Sequence, residues 1–170
     1  MAEYLSAHFT LEEMIYSDTA KRFGINNTPD ELHKKILKHT CEYLLEKLRA
    51  LLNEHYKCQV IMSINSGYRC PNLNTKVGGS STSQHVKGEA ADITCFKVVN
   101  KVKVKINPLE VYKLIKTWVK QGKLSVDQCI YEVGSAYNIW VHVSHSNAGA
   151  SRDRKQFLNY KNGKYILDNN

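Results

Sequence analysis

An α+β domain is predicted by three observations. Helical spacing of apolar residues dominates the N-terminal part of the chain. Two-residue alternation recurs in the remainder, and one further helix interrupts the strand-forming segments. The length of 170 residues fits a single domain over 1–170, since domains run to about 100–200 residues. No repeat, low-complexity run or linker divides it. The expected architecture is a set of N-terminal helices packed on a small antiparallel sheet.

The elements follow in chain order. Thr10-Leu11-Glu12-Glu13 has capping-box spacing, and Leu11, Met14 and Ile15 line one face of a short helix over 10–22. Thr28, Pro29 and Glu31 mark a second start, with Pro29 at the first helical position. Leu32, Ile36, Leu37, Leu44, Leu48 and Leu51 then predict one long amphipathic helix over about 29–53. Val60, Met62 and Ile64 alternate as in a strand over 59–65. Residues 66–88 are rich in Gly, Ser and Asn and read as a long loop with one short helical turn, and loops of that length are usually functional. Ala90 to Phe96 reads as a buried strand. Lys101, Lys103 and Lys105 alternate with Val102, Val104 and Ile106 as on an edge strand guarded by charge. Asn107-Pro108-Leu109-Glu110 starts another helix. Asp127–Glu132 and Ile139–Ser144 read as two strands of a hairpin joined by Val133–Asn138. The tail after 150 is polar and basic, with Tyr160 and Tyr165 as its anchors.

Composition excludes several classes. Hydrophobic residues make up 42% and charged residues 24%, as in globular proteins rather than disordered or fibrous ones. No apolar run approaches the ~18 residues of a membrane span. The start, MAEYLSAHFTLEEM, lacks the basic and apolar regions of a secretory signal, so synthesis in a cytoplasm is expected. Five cysteines at irregular spacing, with no CxxC pair, indicate neither a disulfide framework nor a thiolate zinc site. Lys and Arg outnumber Asp and Glu by 24 to 16, a net charge of +8 that favours an anionic partner such as nucleic acid, membrane surface or cell wall. No base-reading motif accompanies that charge.

Three strings carry chemistry: Ser83-Gln84-His85 followed by Asp92, Trp140-Val141-His142-Val143-Ser144, and Ser66-Gly67-Tyr68-Arg69. A catalytic zinc takes imidazole nitrogens and carboxylate oxygens from three residues and keeps a further position open. His85 falls just before a strand, Asp92 on it and His142 on another, so adjacent strands can bring them around one ion. The spacing alone also fits a loop histidine capping a carbonyl and a carboxylate satisfied by backbone N–H groups.

The string SGYRCPNLNTKVGGSSTSQHVKGEAADI, followed by DQCIYE and WVHVS, resembles the M15 family of zinc peptidases. These are D-alanyl-D-alanine carboxypeptidases and related peptidoglycan-cleaving enzymes, phage endolysins among them. HFTLEEMIYSDTAKRFGINNTPDEL is similar to the same single-domain branch, so the resemblance covers about residues 8–145. It implies a hedgehog/D-Ala-D-Ala peptidase-like fold and a zinc cofactor held by His85, Asp92 and His142. It implies that Arg69 binds a substrate carboxylate and that Ser83 hydrogen-bonds the substrate backbone. The alternatives are a structural salt bridge for Arg69 and a turn-forming role for Ser83. Many members place a glutamate three residues before the late histidine, where this chain has Ile139. Glu132 is the general base expected instead. If the hairpin pairs Glu132 with Trp140, then Ile130 pairs with His142, and Glu132 and His142 share a face; a one-residue slip would separate them. His145 is the fallback, but it alternates away from His142.

The expected function is hydrolysis of peptidoglycan stem peptides, of the D-Ala-D-Ala carboxypeptidase or L-Ala-D-Glu endopeptidase type. The partner is a peptide substrate, with no nucleic acid and no membrane insertion, and the chain acts as a monomer. A wall substrate and no export signal point to a phage or prophage enzyme delivered by a holin or a virion. The rivals are a non-catalytic zinc-containing wall-binding or virion module of the same fold, as in hedgehog-type signalling domains, and a nucleic-acid-binding protein supported by charge alone.

Overall fold

The computed structural model describes residues 2–134 and 138–169. Thr10 caps α1 (Leu11–Ile15) with the reciprocal bonds of a capping box: its hydroxyl accepts from the Glu13 N–H at 3.2 Å, and the Glu13 carboxylate accepts from the Thr10 N–H at 2.9 Å. Ser17 caps a separate α2 (Asp18–Phe23), so the single short helix expected over 10–22 is two. The long helix forms as α3 (Glu31–Thr40), a π-helical turn (Cys41–Leu45) and α4 (Glu46–Tyr56). Its start is two residues later than expected: Asp30 accepts from the His33 N–H at 2.8 Å and is the cap, which leaves Pro29 outside the helix. The π turn widens the helix by one residue, and Leu37, Cys41, Leu44, Leu45, Leu48 and Leu52 all stay in the core.

The strands are β1 (Val60–Ser66), β2 (Ala90–Val99), β3 (Val102–Lys105), β4 (Gln128–Val133), β5 (Ile139–Ser144), β6 (Gln156–Lys161) and β7 (Lys164–Leu167). They form one sheet in the order β1-β2-β5-β4-β6-β7, with β3 pairing the far end of β2. The pairs are antiparallel except β4 with β6, which is parallel. This is an α+β fold, with the basic tail extending the sheet rather than lying over it. The tail turns at Asn162-Gly163, both at positive φ, as a two-residue hairpin loop requires. β3 is exposed along its whole length, so its valines as well as its lysines meet solvent. The tip of the β4–β5 hairpin, residues 135–137, lies outside the described residues.

The loop expected over 66–88 holds two short helices, α5 (Pro71–Lys76) and α6 (Gln84–Lys87). After β3, α7 (Pro108–Lys120) starts at an Asn107 cap and packs on β4 and β5 through Val111, Tyr112, Ile115 and Trp118. Because side chains alternate along a strand, the sheet has two faces of different character. Ala91, Ile93, Val141, Val143, Cys129 and Phe157 face the helices and are buried. Asp92, His142, Ile130 and Leu158 form one cross-strand row of the opposite face, and Trp140, Glu132, Tyr160 and Tyr165 form the next. Among the described residues no helix is long and apolar enough to cross a membrane.

Candidate metal centre and cleft

The segment that carries Arg69 is fixed before it reaches the site. A Cβ at Gly67 would stand 2.3 Å from the Met14 carbonyl oxygen, so only glycine lets β1 run that close to α1. Tyr68 N–H then donates to Met14 at 2.7 Å. The buried Asn27 side chain donates to the carbonyls of Ile15 and Tyr68 and accepts from the Cys70 N–H at 2.7 Å. Three satisfied bonds on one buried amide hold the backbone on both sides of Arg69.

His85 sits on α6 rather than in a loop. Ser83 caps that helix, its hydroxyl accepting from the His85 N–H at 3.3 Å. Gly88 ends it at φ 77°, where a Cβ would also crowd the His33 carbonyl of α3 at 3.3 Å. Four residues on from that turn, β2 delivers Asp92, which stands directly opposite His142 of β5.

Three ligand atoms converge there. His142 Nδ1 lies 3.0 Å from Asp92 Oδ1, His85 Nε2 lies 3.2 Å from His142 Nδ1, and His85 Nε2 lies 3.3 Å from Asp92 Oδ1. Ligands about 2.0–2.1 Å from a tetrahedral zinc stand about 3.3 Å apart, so the triangle has the size such an ion sets. The protons tell the same story. His85 Nδ1 is 2.7 Å from the Gly67 carbonyl, which can only accept, so Nδ1 carries a proton and Nε2 is the ring atom turned to the site. A cation among the three atoms would be shared by all of them. Among the described residues this is the group of His, Cys, Asp and Glu side chains with metal-holding geometry. Burial pushes the Asp92 carboxyl up, but the two imidazoles outweigh it and hold the group well below the usual carboxylate range.

The triangle lies on the floor of a cleft of about 1220 Å³, lined among others by Arg69, Ser83, Glu132, Trp140, Tyr160 and Tyr165. The hairpin register is the expected one, Glu132 opposite Trp140 and Ile130 opposite His142. Glu132 is therefore one row from the triangle, between Trp140 on β5 and Tyr160 on β6. Burial raises its carboxyl, Asp92 raises it further, and His142 and Arg69 pull it back, leaving it at about 7. Arg69 is half-buried, and burial draws its guanidinium below the ordinary value. It forms no ion pair among the described residues, and its Nε is buried without a partner. Ser83 lines the cleft as well as capping α6.

His145 is elsewhere: buried on the far side, it holds Asp153 at 2.7 Å and stacks on His39. Sequence reasoning missed two features of the cleft. One is the bracing of α6, where Gln84 donates to Asp127 at 2.9 Å and Arg154 pairs with the same carboxylate. No local pattern joins residues so far apart in sequence. The other is the wall built by β6 and β7, which brings Tyr160 and Tyr165 into the cleft. The signal available for it was Asn162-Gly163 flanked by Phe157, Leu158, Tyr165 and Ile166.

A family model described as Peptidase M15 matches residues 7–113. No curated protein matches the chain.

Proposed function

The chain belongs to the M15 peptidases, and on that premise we propose that it hydrolyses peptide bonds in the stem peptides of peptidoglycan. The observation that carries the reading is the triangle of His85, Asp92 and His142 with Glu132 one row away in an open cleft. His85, Asp92 and His142 would hold zinc, which when bound supplies Lewis acidity toward a carbonyl and a lower pKa for water.

The chain's own residues supply the rest. Glu132 takes a proton from the attacking water as its oxygen bonds to the carbonyl carbon. It then gives that proton to the departing amine as the C–N bond breaks. A carboxyl raised to about 7 suits both halves of that exchange near neutral pH. Arg69 offers a planar fork to a substrate carboxylate, a geometry lysine lacks. The Ser83 hydroxyl uses its lone pair on the His85 N–H, so its proton is available to a substrate carbonyl.

Carboxypeptidase action on terminal D-alanine and endopeptidase action on L-alanyl-D-glutamate use the same residues, and both stay within the proposal. The wall-hydrolase role of phage or prophage type rests on the sequence resemblance, and the charge of +8 suits an anionic wall. Glu132 beside the triangle favours hydrolysis over a non-catalytic binding module. The test is digestion of purified peptidoglycan with zinc-loaded protein, with products read by mass spectrometry. Peptide release by the parent and its loss in Glu132→Gln is the expected result. Release by the variant at the parental rate would remove Glu132 from the chemistry, and no release by either would remove the peptidase reading.

A further inference from the structure

Tyr165 belongs to β7, the last strand of the sheet, beyond the residues the family model matches. It stands opposite Tyr160, and Tyr160 stands opposite Glu132, so the three share one row of the cleft face. The Tyr165 ring packs on the Tyr160 ring with centroids 4.6 Å apart. Its hydroxyl makes no hydrogen bond among the described residues, although it lines the cleft. Arg69 lines the same cleft, likewise without an ion pair. Arg69 and Tyr165 thus face one shared cleft, with Asp92 and Glu132 also in its lining.

We propose that Tyr165 is a further substrate-binding residue, whose phenolic O–H donates to the same substrate carboxylate that Arg69 holds. The inference rests on the peptidase reading above for the kind of ligand. A carboxylate presents about four lone-pair sites, and a guanidinium fork occupies two of them. A neutral O–H across the cleft can take a third without a second charge being brought into a half-buried site. The Tyr160 ring packs against one side of the phenol, which narrows the positions it can take, although the residue is otherwise exposed. Placement of this residue on the C-terminal hairpin makes carboxylate recognition a property of this chain's own tail.

Binding is measured by titration calorimetry on the zinc-loaded Glu132→Gln protein, which keeps the ligand intact. The probes are a stem pentapeptide with free carboxylates and the same peptide fully amidated. The acid is expected to bind at least about 10-fold tighter than the amide. Tyr165→Phe, which keeps the ring on Tyr160, is expected to lower that preference about 10-fold, the scale of one hydrogen bond to a charged group. In the double variant with Arg69→Met, the two losses are expected to be less than additive. A preference unchanged by Tyr165→Phe overturns the inference, as does failure of the acid to bind. In turnover with the parent Glu132, Tyr165→Phe should raise KM and leave kcat within about twofold, because binding is lost uniformly. A fall in kcat alone overturns the binding role. A protein that binds the acid in a Tyr165-dependent way but cleaves no peptide retains this inference and loses the peptidase reading, so the two fail separately.

Discussion

The two faces of the sheet are written on the same strands one residue apart. On β5, Val141 and Val143 are buried against the helices, while His142 between them belongs to the metal triangle. On β2, Asp92 and Ile93 divide in the same way. The core face is apolar and continuous, so its neighbours change little if one side chain is exchanged for another of similar volume. The cleft face is polar, aromatic and charged, and each group there answers to a specific partner. Strand register is therefore the requirement that both faces share. A slip of one residue would send the ligands into the core and the valines into the cleft, and both faces would fail together.

The largest effect should come from a change confined to the cleft face. Glu132→Gln is expected to lower turnover by about 10²–10⁴-fold, the range for loss of a positioned acid–base group. Its stability should stay level or rise. A carboxyl whose folded pKa is raised to about 7 opposes folding at any pH above its unfolded value, and glutamine removes that opposition. Thermal melts beside rate assays check the pair; a large fall in melting temperature would break the separation of the faces. The opposite pattern is expected of Ile93→Ala on the core face. That residue is 1% exposed, and its truncation should cost about 2–5 kcal/mol in urea unfolding while zinc affinity is retained.

Much of this arrangement was legible in the sequence, and the reasons are physical. Period-two alternation announces the two strands of the hairpin but leaves the register open by one residue, and the fold fixes it with Glu132 opposite Trp140. His85, Asp92 and His142, which the fold brings together, stood in strings with a known resemblance. The capping box at Thr10 and Glu13 is a local signal and formed as read. Elements whose cause is not local were harder to read. The π turn at Cys41–Leu45 follows from packing on the whole core rather than from a helix-breaking residue. β7 is exposed on both faces, so it shows no alternation, and only its Asn-Gly turn announces it. Pairing of β6 in parallel with β4 depends on a connection through Asp153 and Arg154, whose partners His145 and Asp127 lie on other parts of the chain.

A ligand that binds only the folded state stabilises it by about 2.7 kcal/mol at one hundred times its Kd. Zinc should therefore raise the melting temperature of the parent and of Ile93→Ala alike, and chelation should reverse the rise. In Asp92→Ala the shift should vanish, because the triangle has lost a corner. A zinc-dependent shift that survives in Asp92→Ala would place the ion elsewhere.

The smallest effect is expected at the start of β4, where Asp127 braces α6. Asp127 is buried and accepts from Gln84 of α6 and from Arg154. Burial pushes its carboxyl up, but the Arg154 bonds outweigh that, and its pKa is lowered overall. The sign follows from that direction. The group stabilises the fold above its unfolded pKa, and the contribution is lost as pH falls through the lower folded value. Arg154 is 56% exposed, so solvent screening keeps the pair to about 1 kcal/mol. Asp127→Asn should therefore be less stable than the parent by about that much at pH 6, with the two converging only as pH falls through the lowered folded pKa of Asp127. Because Gln84 precedes the ligand His85, the same variant should also weaken zinc binding by a few-fold. Loss of stability without any change in zinc affinity would show that the brace serves the fold alone and that α6 holds His85 by its own capping.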